Sequence, residues 1–298
     1  MRAISRLAIT LVTATLGCSG KVPTGVENFL AVLSGSVPNV PAAVAELSGS
    51  ELLEQVTAKG PYLGFDTFGY PGDEAMQSWR THADYDWVGF YLPAPCHKDG
   101  SWSGKRATIE AMGWGIAVVY VGQQTWGKTP RADGRVSRGA TCATNLVSGA
   151  QGARDAEDAI AKTVAEGFPN GTAIFLDIEH MSSVPNAMRE YYVAWTEGVL
   201  GDGRFRPAFY AHNSNAPTIY GDVRAVFDKH AVTAEPPFWI AGGSNFGRDR
   251  DPQDVGHAFA AVWQGVLDTH ERYASIRLPI DINVAAVPSP SSAQFASD

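Results

Sequence analysis

The sequence predicts one (β/α)8 barrel of the TIM type, and three observations predict it. Short apolar segments of period two alternate with amphipathic segments of helical period between residues 62 and 284. Eight such strands in that length match the size of a single barrel. No glycine-rich phosphate turn follows the first strand, which sets aside a doubly wound open sheet. Alternation of this kind implies parallel strands joined by right-handed crossovers.

The barrel is expected over residues 61–287, starting near Gly60-Pro61. Residues 62–68 give the first strand, 73–82 a helix, 87–92 the second strand, and 105–112 another helix. The third strand, 115–121, leads into a long polar loop. Residues 155–166 form an amphipathic helix with Ala156, Ile160 and Val164 on one stripe and Gly167 as its stop. The fourth strand, 173–179, opens after the Pro169-Asn170-Gly171 turn. A helix at 186–199, a strand at 207–212 and a helix near 218–227 follow. Three short β-rich segments, 238–241, 260–264 and 280–284, complete the eight. Residues 288–298 read as a polar, disordered tail.

The N-terminus has a different texture. Arg2 and Arg6 precede an apolar run from Leu7 to Leu16 that is too short to span a membrane as a stable helix, the pattern of an export signal over residues 1–18. Thr15-Leu16-Gly17-Cys18 resembles a lipoprotein cleavage site. Cys18 is therefore a lipidation candidate, and a lipid anchor is the one membrane contact expected; ordinary signal cleavage is the alternative. Residues 19–60, punctuated by Gly, Ser and Pro, read as a tether with short helices. The expected location is the periplasm or cell surface, or the medium.

At 45% hydrophobic and 18% charged the composition is globular, with ample residues for a core. A net charge of −8 argues against a nucleic-acid binder, which would show a basic face. It does not choose among small-molecule, glycan and protein partners, and it sets no oligomeric state. With Cys18 used for an anchor, Cys96 and Cys142 remain as an even pair in an oxidising compartment. They follow strands two and three, barrel neighbours, so a bridge would pin the intervening loop over the mouth; two free thiols are the alternative. The cysteine spacing offers no metal site, and no cofactor is expected.

The fourth strand carries the sharpest signal. Ile174, Leu176 and Ile178 alternate with Ala173, Phe175, Asp177 and Glu179. Asp177 and Glu179 therefore share a face, with Cα atoms about 6.5–7 Å apart. Two acids on the inward face of a buried strand are costly unless they reach a polar cavity. In TIM barrels that cavity is the mouth at the carboxyl ends of the strands. Asp66, late in the first strand, and Asp281, within the eighth, would ring the same mouth. Taken singly, either could cap a turn. His180 follows Glu179 and should face away.

Gly64-Phe65-Asp66, Tyr120-Val121-Gly122-Gln123, Asp155-Ala156 leading to Gly167-Phe168-Pro169, and Leu176-Asp177-Ile178-Glu179 come in order. Tyr191-Tyr192 with Trp195, Phe209-Tyr210, Trp239-Ile240-Ala241, Trp263-Gln264 and Asp281-Ile282-Asn283 follow. This ordered set resembles the glycoside-hydrolase-like barrels related to glycoside hydrolase family 25, the peptidoglycan-cutting muramidases, and more closely a bacterial glycoside-hydrolase-like family of unassigned function. The resemblance implies Glu179 as general acid, and Asp177 as stabiliser of positive charge, nucleophile, or group orienting a substrate N-acetyl. Asp66 and Asp281 would complete the acidic cleft. Where family 25 usually has a lysine-and-glutamate motif on the second strand, this chain has Phe90-Tyr91-Leu92-Pro93-Ala94-Pro95-Cys96.

Substrate contacts are expected from Tyr210, His212, Tyr91, Gln123, Trp126, Trp239 and Gln264. Tyr210 and His212 share a parity on strand five, with core packing the other reading of Tyr210. Trp102 and Trp126 sit in loops where rings could stack on sugars. Trp239 and Trp263 lie on strands and read as core, with an edge at the site. Lys128, Arg131, Arg135 and Arg138 in the third-strand loop could meet an anionic glycan, though a solvated loop is the plainer reading. The expected function is an exported hydrolase cutting a glycosidic bond in peptidoglycan or another cell-wall glycan. The alternatives are a catalytically silent glycan-binding module and a metal-dependent phosphodiesterase barrel, the last lacking a histidine set.

Overall fold

A computed structural model describes residues 60–127 and 141–293. The expected signal peptide, Cys18, the tether and Lys128 to Arg138 lie outside the described residues. No described helix is long and apolar enough to cross a membrane.

Eight strands close into a barrel in sequence order: β1 (Tyr62–Asp66), β2 (Trp87–Tyr91), β3 (Gly115–Val121), β4 (Ala173–Ile178), β5 (Arg206–His212), β6 (Phe238–Ala241), β7 (Ala260–Tyr273) and β8 (Ile276–Ala285). Helices α1 (Asp73–His82), α2 (Arg106–Ala111), α3 (Gly149–Ala165), α4 (Asn186–Asp202) and α5 (Ala216–Lys229) fill the first five crossovers. The barrel class is as the sequence predicts. Two features depart from it.

The first is direction. β1 to β7 pair in parallel, but β8 runs antiparallel to both β7 and β1. β7 and β8 form a hairpin far longer than the short segments predicted at 260–264 and 280–284. Its outer half leaves the barrel and packs on α1, where Trp79 Nε1 donates to Ile276 O at 3.2 Å and the Trp79 and Tyr273 rings meet edge to face. Charged residues alternate along this ribbon because it is wet on one side, so its polar stretch did not read as strand.

The second departure is the C-terminus. Residues 288–293 do not trail as the expected disordered tail. Ser289 Oγ accepts from Ile116 N at 3.0 Å, Ser291 Oγ accepts from Val118 N at 2.7 Å, and Ala173 N donates to Ser291 O at 2.9 Å. The segment thus occupies backbone groups at the start of β3 and β4 and seals the barrel floor. Short polar side chains suit that task, and they also explain why the stretch resembled a tail.

Helix α3 begins six residues before the predicted Asp155, capped by Ser148, whose Oγ accepts from Gln151 N. The early turn of this helix includes Gly152. Its role is close approach: a Cβ there would lie 2.1 Å from Tyr191 O on α4.

Inside the barrel, the rings of Trp87, Phe175 and Trp239 meet edge to face, Trp239 lying 5.3 Å from Trp87 and 5.8 Å from Phe175. They come from β2, β4 and β6, so they fill the centre and floor the polar mouth above them. Ile174, Leu176 and Ile178, of opposite parity on β4, lie in the apolar layer beneath the helices.

Candidate active site

Asp66 sits at the carboxyl end of β1, only 5% exposed. Two glycines make room for it. A Cβ on Gly64 would lie 2.0 Å from the Trp87 ring, and a Cβ on Gly89 would lie 2.7 Å from Asp66 Cβ. Tyr91 OH donates to Asp66 Oδ1 at 2.7 Å; Gln264 Nε2 and Asn283 Nδ2 each donate to Oδ2 at 2.9 Å.

β4 supplies the second group. Phe175 points into the barrel, so Asp177 does too, and it is 7% exposed. Its Oδ1 is buried without a hydrogen-bond partner. Glu179, the next residue of that parity, reaches the rim half-buried. The end of β4 is held by Gln124, whose Nε2 donates to Asp177 O at 2.8 Å while its Oε1 accepts from Glu179 N at 3.1 Å.

The reversed β8 brings Asp281 opposite Asp66 in the β1–β8 ladder. Had β8 been parallel, a residue this far from its C-terminal end would sit below the mouth. A bulge in β7 completes the corner, with register breaks between Gln264 and Thr269. Asp268 there has φ 52°, and its N–H donates to Asp281 Oδ1 at 2.6 Å. Gln264 Nε2 reaches Asp281 Oδ2 at 3.3 Å, and Gln264 Oε1 accepts from Tyr210 OH at 2.6 Å.

Burial pushes all four carboxyls above their ordinary range, by different balances. For Asp66, the three donors oppose burial. Asp177 is driven well up by burial, then by the charges of Glu179 and Asp66, with no donor in opposition. Glu179 is raised by burial and Asp66, against a backbone hydrogen bond and a charge from His180. Asp281 is pushed to about 7, by burial first and Asp66 second. Neighbouring carboxyls in unlike environments can divide acid and anion roles at one pH.

Tyr91, Tyr210 and Gln264 therefore stand among the acids, bonded to them or to each other. His212 is at the rim, its Nδ1 paired with Ser214 Oγ at 2.8 Å. Trp126 is 55% exposed on the loop after β3. Four expectations change. Gln123 turns into its own loop, donating to Thr141 O and accepting from Ala143 N; the strand ends at Val121, so the motif that carried Gln123 runs on into the loop, and Gln124 is the residue that meets β4. Trp239 is 1% exposed, between Trp87, Phe175 and Tyr210, so it offers no face to a substrate. Trp102 is buried against Phe90 and Tyr70. His180 does not face away from the site, because its ring stands 4.6 Å from that of His212.

Asn283 and Phe68 carried no assigned role. Asn283 lay within a quoted motif, and its parity with Asp281 was the available signal. Phe68 is 66% exposed two residues beyond Asp66, its ring 4.5 Å from that of His97, which in turn stacks on Tyr91. The Cys96–Cys142 disulfide ties the loop after β2 to the loop after β3, with Cα atoms 4.8 Å apart.

The family described as Rv2525c-like, glycoside hydrolase-like domain matches residues 77–285. Among solved structures, a protein of B. stearothermophilus described as uncharacterized is 21% identical with a TM-score of 0.51, covering 75% of this chain and 95% of its own. The modular autolysin LytC from Streptococcus pneumoniae is 13% identical with a TM-score of 0.50, covering 75% of this chain and 46% of its own. The Tat-secreted protein Rv2525c of Mycobacterium tuberculosis is 15% identical with a TM-score of 0.46, over 80% and 98%. At these identities the likeness is one of fold. Comparison with curated proteins found no match.

Proposed function

The chain belongs to the Rv2525c-like family of glycoside hydrolase-like domains, and from that premise we propose that it hydrolyses a glycosidic bond in a cell-wall glycan with Glu179 as general acid. The observation that carries this reading is the placement of Glu179. Its carboxyl is half-buried at the rim, raised by burial and by Asp66, while Asp177 stands behind it on the same face. A carboxyl that holds its proton above the ordinary carboxylate range and is open to solvent can give it to a leaving glycosidic oxygen. The positive charge that develops on the sugar then faces a mouth rich in carboxylates. Tyr91, Tyr210, His212 and Gln264 are the proposed polar contacts, with Trp126 as a stacking surface.

The fold shared with an autolysin directs the proposal to cell-wall glycan. We place the protein outside the cytoplasm, on the Cys96–Cys142 disulfide and on the N-terminal signal pattern. Cys18 is the proposed lipidation site within that pattern, and no cofactor or metal is invoked.

A second reading, glycan binding without hydrolysis, has one observation behind it. β2 brings a neutral donor, Tyr91, to the mouth where the resembling hydrolases usually carry lysine and glutamate. One experiment separates the two. Purified peptidoglycan and defined glycans are incubated with the protein and with Glu179→Gln, and reducing ends are counted. Release by the wild type alone supports hydrolysis. Equal release by both sinks the role of Glu179. Saturable binding with no release by either establishes the second reading.

A further inference from the structure

The hydrogen bonds around Asp66 run in one direction. Trp239 Nε1 lies 2.9 Å from Asn283 Oδ1. An indole N–H can only donate, so the Asn283 atom facing it has to be the carbonyl oxygen. The Asn283 NH2 group is thereby turned toward Asp66 Oδ2 at 2.9 Å and Asp281 O at 3.2 Å. Gln264 is oriented the same way: its NH2 faces the carboxylates of Asp66 and Asp281, and its oxygen accepts from Tyr210. Asp66 Oδ2 thus meets two amide nitrogens that cannot accept a proton, while Oδ1 receives the Tyr91 hydroxyl.

Trp239 is well suited to fix this chain. Its ring is pinned by three aromatic neighbours at 5.3 to 5.8 Å, all at steep angles, and it is 1% exposed. Asp177 is the counterpart. It shares the cavity with Asp66, yet its Oδ1 is buried with nothing donating to it.

We propose that Trp239 is a positioning residue which, through Asn283, favours the anion of Asp66 over that of Asp177, so that of the two Asp66 ionises first and carries the negative charge of the mouth while Asp177 keeps its proton. The catalytic consequence rests on the reading of the mouth as a glycosidase site; the charge assignment does not. If the mouth hydrolyses glycans, Asp66 is the carboxylate placed to stabilise an oxocarbenium-like transition state, and Asp177 is left to donate a hydrogen bond to substrate. The groups facing Asp66 are consistent with this division. Tyr91 comes from β2, Tyr210 from β5, Gln264 from β7, and the acids Asp177, Glu179 and Asp281 from β4 and β8. The hydrogen-bond donors to the Asp66 carboxyl are the Tyr91 hydroxyl and the Gln264 and Asn283 amides, all neutral, and these favour its anion.

The test follows the Asp66 carboxyl by 13C NMR of aspartate-labelled protein across pH, assigned by its loss in Asp66→Asn. Trp239→Phe deletes the donor and lets the amide turn; Asn283→Leu deletes the relay should the smaller ring disturb packing. Each is expected to raise the proton affinity of Asp66 about tenfold, the size of one lost charge-assisted hydrogen bond. The double variant should move it no further than Asn283→Leu alone. An unchanged Asp66 titration in both single variants, or fully additive shifts, overturns the proposal. Because this readout needs no substrate, it decides the charge assignment even if no glycan is cut. Should hydrolysis be found, Trp239→Phe should also move the acidic limb of its pH profile to higher pH, which a purely structural defect would not.

Discussion

Asp281 lies directly across the β1–β8 ladder from Asp66, and a single amide nitrogen, Gln264 Nε2, reaches both carboxyls at 2.9 and 3.3 Å. Side chains opposite one another in an antiparallel pair stand about 5 Å apart at Cβ. Two carboxylates that close repel, and here a neutral donor is shared between them instead of a cation. The arrangement keeps the mouth open to a neutral or positively charged reacting centre. It also leaves the fold carrying an electrostatic cost at high pH, from which the first expectation follows.

Asp177→Asn should stabilise the protein at alkaline pH. The folded-state carboxyl is raised well above its ordinary value by burial, Glu179 and Asp66. Its contribution to stability is therefore full below about pH 4, the unfolded value, and is lost as pH rises through the folded one. The amide removes that loss without sacrificing a donor, since nothing donates to Asp177 Oδ1. A gain of about 1 kcal/mol at pH 8, seen as a Tm increase of about 2–4 °C, should shrink to nothing near pH 4. Thermal melts across that range check it, and a constant difference between the two proteins would contradict it.

His180→Ala should move the alkaline limb of glycan hydrolysis to higher pH. The charge of His180 lowers the Glu179 carboxyl, while the backbone bond from residue 180 survives the substitution. Without the imidazole, Glu179 keeps its proton to higher pH. The measurement is kcat/KM against pH on a soluble glycan. Movement in the opposite direction would refute the electrostatic role.

Ser291→Ala should destabilise the barrel by about 1–3 kcal/mol, the cost of a buried donor left unpaired. Val118 N would lose its acceptor at the barrel floor. Removing residues 288–298 should cost more, because Ile116 and Ala173 also bond to that segment. Urea denaturation of both variants reads this directly; wild-type stability in the truncated chain would restore the view of the segment as a tail.

Gly152→Ala tests the contact between α3 and α4. The added Cβ would meet Tyr191 O at 2.1 Å, so the helices must part. Tyr191 OH also accepts from Gln123 N and donates to Asp155 Oδ2, which ties this helix pair to the chain just before Gln124. A loss of about 1–3 kcal/mol is expected, against the slight gain that alanine gives in an unconstrained helix. Chemical denaturation distinguishes the signs.

The sequence alone determined the barrel, because period-two apolar runs and helical stripes are local and repeat at the right spacing. It also put Asp177 and Glu179 on one face, since parity within a strand is a two-residue property. Nothing local showed that β3 ends at Val121, so the motif that named Gln123 passed over Gln124, which holds the end of β4. Nor could local pattern show that β8 runs backwards, since a wet ribbon shares no apolar period with the core. The direction of β8 depends on its pairing with β7 and β1, and that pairing sets Asp281 level with Asp66. The state of each acid was likewise decided only in three dimensions. Asp66 and Asp177 are the same residue type on equally buried strands, and what separates them is which of their neighbours can donate.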